Sequence, residues 1–232
     1  MSTFNAQGRF AIQATSRFRD PVNGFLHLFA LIAAIAAIAW LLFECRAEVV
    51  RFASVLVYGL GMIGCFAAST CHHLIRGSRR LELRLLRLDH AAIYPFIAGT
   101  YTPICLCLLP ATGGLTLLAA VWALALVGVV YKLGFARDQS DVNDPPPLLD
   151  TLLYIAMGWL VLFQASPLLA QALPGSLAFA LVGGLAYSLG GVILSQRWFD
   201  LWPGRFGHHE IWHLCVILGS AGLFAFIAAN LT

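Results

Sequence analysis

The sequence predicts an all-α membrane protein, a bundle of seven transmembrane helices. Three observations carry this reading. The 232 residues are 60% hydrophobic and only 11% charged, whereas a soluble domain carries about 25% charged residues. Apolar runs close to the roughly 20 residues that a bilayer core demands recur along almost the whole chain. The charged residues gather between those runs. A lipid bilayer is therefore the expected surrounding, and no nucleic-acid partner is expected.

The elements follow in order. Residues 1–20 are polar, contain Arg9, Arg17 and Arg19, and read as a tail or a short surface helix. Residues 21–232 read as one seven-span membrane domain. The first apolar run is too long for a signal-peptide core and lacks a small-residue cleavage site, so it reads as a span. That span covers about 22–43, with Pro21 in the first helical turn and Asp20 as its expected cap. Asn23 and His27 share a face within it. The second span, about 52–74, ends in Ser69-Thr70-Cys71-His72-His73. A basic stretch with Arg76, Arg79, Arg80, Arg84 and Arg87 reads as a loop. The third span, about 88–109, opens with Asp89-His90 and contains Pro95 and Pro103, which are expected to kink or interrupt it. Spans at about 114–131, 149–169, 177–195 and 206–231 complete the set. Polar residues 137–147 form the longest connection. Five cysteines (Cys65, Cys71, Cys105, Cys107 and Cys215) lie inside apolar runs and read as small packing residues, not as a disulfide framework.

Charge sets the orientation. Twelve of the 14 Lys and Arg residues fall on the side of the N-terminus, and only Arg46 and Arg51 on the other. The positive-inside rule then predicts a cytoplasmic N-terminus and, after seven crossings, an external C-terminus. In this topology Asn23, His27, Ser69, His73, Asp89, His209 and His213 all lie at cytoplasmic ends of spans.

The last span opens Gly207-His208-His209-Glu210-Ile211-Trp212-His213. His209 and His213 are four residues apart, so one helical turn places them on one face. With His73 they offer three neutral nitrogens for a zinc ion. Three protein ligands leave one position open, which is the catalytic arrangement, whereas structural zinc is closed by four. Asp89 suits a proton acceptor beside the metal. Ser69, one turn from His73, suits a hydrogen-bond donor to the reacting oxygen. Adjacent helical positions point about 100° apart, so His72, His90 and His208 are expected to face elsewhere. A one-residue shift in register would substitute His208.

Several of these residues also carry a resemblance. Asn23-x-x-x-His27, Ser69-x-x-x-His73, Leu88-Asp89-His90-Ala-Ala-Ile continuing to Ala98-Gly-Thr-Tyr-Thr-Pro103, and His209-x-x-x-His213 together resemble the bacterial hemolysin III family. That family is related to the progestin and adipoQ receptors and to alkaline ceramidases. The resemblance implies a multi-pass protein of a bacterial inner membrane. It also implies zinc held by His73, His209 and His213, with Asp89 and Ser69 nearby, and hydrolysis of a lipid amide. The family's first-helix acidic position corresponds to Asp20. Three functions stay open at this point: a metal-dependent hydrolase of a lipid amide or ester, a metal-dependent membrane sensor without turnover, and a channel-forming or cytolytic protein. In each of them a membrane lipid is the expected substrate, ligand or surrounding.

Overall fold

The computed structural model describes residues 17–109, 111, 113–135, 148–202 and 206–232. Most of the tail 1–20, the polar connection 137–147 and Arg205 lie outside the described residues.

The described chain is helical. Helix α1 (Pro21–Glu44) ends in a 3-10 turn, and α2 (Val49–Leu74) returns antiparallel to it. Helix α3 (Arg79–Pro103) continues through a π-helical turn, Ile104–Leu108, and α4 (Gly114–Val130) through another, Tyr131–Phe135. The fifth span joins α5 (Leu148–Trp159), a 3-10 segment and the short α6 (Ala165–Gln171). Helices α7 (Ser176–Gln196) and α8 (His208–Leu231) close the bundle. Among the described residues, seven helical stretches are long and apolar enough to cross a membrane.

Three elements differ from the sequence reading. The arginine-rich stretch is not a loop from Arg79 onward. Ser78 caps α3 there, its hydroxyl accepting the Leu81 N–H at 3.3 Å, so Arg79, Arg80, Arg84 and Arg87 occupy the helix's first turns. Helix α3 also runs through Pro95 without interruption and leaves the α ladder only at Pro103. The fifth span is broken, for which Pro167 gives a reason. It has no N–H for the Phe163 carbonyl and its ring crowds that oxygen, and the 3-10 segment Leu160–Gln164 lies just before it. The Tyr101 hydroxyl steadies the break, donating to Gly158 O at 2.7 Å and accepting from Val161 N at 2.9 Å.

Helices without a hydrophobic driving force between them need close backbone approach. Gly61 supplies it between α2 and α3: a Cβ there would meet the Pro95 carbonyl oxygen at 2.8 Å. Gly222 does the same between α8 and α7, where a Cβ would lie 2.7 Å from Phe179 O. These contacts fix α2 beside α3 and α8 beside α7, and the starts of α1, α3 and α8 meet the end of α2.

Candidate metal centre

His73 stands in the last turn of α2, and His209 and His213 in the first two turns of α8. The four-residue spacing stacks the rings of His209 and His213 at 5.0 Å, with 5° between their planes. Helix α2 brings the His73 ring to 5.1 Å from His209 and 4.8 Å from His213. One ring nitrogen from each of the three lies within 4.8 Å of the others, a grouping able to hold a metal ion. His73 and His213 are buried, at 1% and 2% exposure.

The partners of the outer nitrogens define the centre. His73 Nδ1 lies 3.0 Å from Asp20 Oδ2, and His213 Nδ1 lies 2.6 Å from His27 Nε2. A carboxylate accepts, so His73 donates from Nδ1 and keeps its lone pair on Nε2. The Nε2 atoms of His73 and His213 are buried and carry no hydrogen-bond partner. Metal-binding histidines characteristically donate their other ring N–H in this way. Asp20 is held by further bonds: its backbone N–H donates to His73 O at 2.8 Å, and Asn23 Nδ2 donates to Oδ2 at 2.8 Å. Burial pushes the Asp20 carboxyl up, but its hydrogen bond to His73 and the neighbouring imidazoles outweigh this and hold it below the usual carboxylate range. Asn23 also donates to Glu210 Oε1 at 2.9 Å, while Glu210 Oε2 accepts the Gly207 N–H at the start of α8 at 2.7 Å. One amide thus ties the start of α1 to the start of α8.

Asp89 and Ser69 sit beside this group. Ser69 and Asp89 line the same cavity wall. A carboxylate oxygen of Asp89 lies within 4.8 Å of ring nitrogens of His72 and His73. His209, His213, Ser69 and Asp89 line one end of a cavity of about 210 Å³ that continues past Thr100, Ile104, Leu168 and Phe226. Its walls away from the histidines are mainly aliphatic and aromatic side chains.

The comparisons with known proteins bear on this architecture. The family model described as "Haemolysin-III related" matches residues 15–224. This chain belongs to the haemolysin-III family. It is 34% identical over 207 residues to the Hemolysin-3 homolog of Bacillus subtilis (strain 168), covering 87% of this chain and 89% of the relative. It is 36% identical over 204 residues to Hemolysin-3 of Bacillus cereus, covering 87% of each. A plant protein, Heptahelical transmembrane protein ADIPOR3 of Oryza sativa subsp. japonica, is 30% identical over 178 residues, which are 70% of this chain and 42% of that one.

In this haemolysin-III chain the structure brings His73, His209, His213, Ser69 and Asp89 together. His208 lies outside the three-histidine group. Two readings change. Asp20 occupies the position before α1, but its carboxylate makes no cap bond there, since His73 and Asn23 take it. His72 and His90, expected to face elsewhere, line the cavity with the site residues, and His72 is 2% exposed. Asn23 and His27, read as sharing a face at the same end of the spans but given no role, are buried contacts of the centre. The helical period put them on one face, but nothing in the sequence showed that α8 lies against it.

Proposed function

We propose that this chain is a zinc-dependent hydrolase in the cytoplasmic leaflet of a bacterial inner membrane, acting on an amide or ester of a membrane lipid. One observation carries the reading: the unpartnered, buried Nε2 atoms of His73 and His213 converge with His209 while their outer nitrogens are engaged by Asp20 and His27. Unpaired lone pairs on buried imidazoles are costly, and a neutral three-nitrogen donor set suits zinc. When bound, zinc supplies a Lewis acid for activating water and polarising a carbonyl.

The remaining chemistry belongs to the chain. Asp20 holds the ring of His73 in one tautomer and orientation, and His27 holds the orientation of the His213 ring. Asp89 accepts a proton at its carboxylate, and Ser69, which lines the cavity beside it, donates a hydrogen bond to the reacting oxygen. The apolar cavity holds the lipid tail and keeps bulk water from the reacting end. The charge distribution supports the cytoplasmic placement, with twelve of 14 Lys and Arg residues on that side.

The test measures zinc content and lipid-amide hydrolysis on one preparation, for the wild type and for Asp89→Asn. The variant keeps size and loses charge. Zinc should stay near the wild-type level while turnover falls about 10²–10⁴-fold, the usual worth of general-base help. Zinc without hydrolysis of any lipid amide or ester in the wild type would leave a sensor and remove the enzyme. Undiminished hydrolysis in Asp89→Asn would remove Asp89 from the mechanism.

A further inference from the structure

His72 takes no part in the centre described above, yet its position is as constrained as that of any ligand. Its Nε2 lies 2.7 Å from Arg19 Nη2. A guanidinium only donates, so Nε2 is the acceptor, and the neutral ring carries its proton on Nδ1. A doubly protonated ring would set two donors face to face. The second nitrogen of His72 therefore presents an N–H and not a lone pair. That excludes it as a metal ligand, although a ring nitrogen of His72 lies within 4.8 Å of ligand atoms of His73 and Asp89. The Nδ1 atom is buried and has no hydrogen-bond partner. With Nε2 turned to Arg19, Nδ1 is the nitrogen left for the cavity, which His72 lines beside Ser69 and Asp89. A buried donor lacking an acceptor is uncommon and destabilising, and calls for an explanation.

We propose that His72 is a ligand-contacting specificity residue: Arg19 fixes it as an N–H donor, and that donor takes an oxygen of an amphiphile whose tail lies in the apolar cavity. This rests on reading the cavity as the lipid site, but on neither bound metal nor turnover. The cation behind the ring polarises the donor, so it favours a carboxylate, or a strongly polarised carbonyl, over a hydroxyl, because charge-assisted hydrogen bonds are the stronger ones.

The experiment measures binding of oleate, oleyl alcohol and acetate to the full chain in nanodiscs, with zinc content determined for every variant. Oleate should bind more tightly than oleyl alcohol, and acetate should not bind measurably. The change His72→Phe keeps a ring and removes the donor. It should weaken oleate about 10–100-fold, the range for a hydrogen bond to a charged group, and leave the alcohol and the zinc content unchanged. Arg19→Met, outside the spans, should act in the same direction without touching the cavity wall. Equal binding of oleate and the alcohol by the wild type, equal loss of both in His72→Phe, acetate binding as tight as oleate, or zinc lost with His72 would each overturn the proposal. If His72→Phe does not fold, Arg19→Met decides, and an unchanged oleate preference there overturns it. A wild type without zinc or hydrolysis that still shows the His72-dependent preference would sink the hydrolase reading and leave this one standing.

Discussion

Two histidines of the candidate centre have their outer ring nitrogens engaged by other side chains. Asp20 occupies Nδ1 of His73 and His27 faces Nδ1 of His213, so the geometry of the candidate centre depends on a residue just before α1 and one within it. This gives Asp20→Asn a definite expectation. The amide can still accept from His73, but the charge is gone, and loss of such an outer partner typically costs about 10–100-fold in metal affinity. Competition with a chelator of known zinc affinity measures it; unchanged affinity would mean that His73 is positioned by packing alone. His209 and His213 were legible in the sequence because helical geometry alone puts positions four apart on one face. The role of Asp20 was not. A carboxylate just before a helix can bond its own first turn or reach another helix, and the choice depends on His73, 53 residues away.

At the scale of elements, the fourth and fifth spans are joined by a buried ion pair between Lys132 and Asp150, at 5% and 3% exposure. Removing one partner strands the other charge, which typically costs about 3–5 kcal/mol, whereas replacing both with apolar groups is often neutral. Lys132→Met should therefore lower the thermal unfolding midpoint in detergent clearly, and Lys132→Met with Asp150→Leu should recover most of the loss. A single variant as stable as the wild type would show that water reaches Asp150. The sequence placed the spans because apolar length alone decides insertion. It did not reveal the pair, since Lys132 reads as one more cytoplasmic charge until the turn after α4 is brought to the start of α5. The break in the fifth span had a visible cue in Pro167, while the early start of α3 had one in Ser78, where a polar cap outweighs the arginines that make the segment look like a loop.

For the whole molecule, polar groups from α1, α2, α3 and α8 converge at one end of the bundle, and the cavity runs from that end between apolar walls. The convergence was legible because each span alternates direction, so polar residues at successive ends fall on one side. The contacts among them were not, because helix crossing geometry has no local signature. The orientation of that end is a separate expectation that rests on charge. A reporter fused after Thr232 should be external, and one inserted near Ser140 cytoplasmic. A cytoplasmic C-terminus would invert the molecule and move the centre to the outer leaflet.

Metal analysis of purified protein tests the central claim most directly. The wild type should carry about one zinc per chain, and His73→Ala and His213→Ala should each lose most of it while still inserting, because insertion rests on apolar length. Full zinc in both variants, or none in a wild type purified without chelators, would contradict the assignment of His73, His209 and His213 as a metal centre.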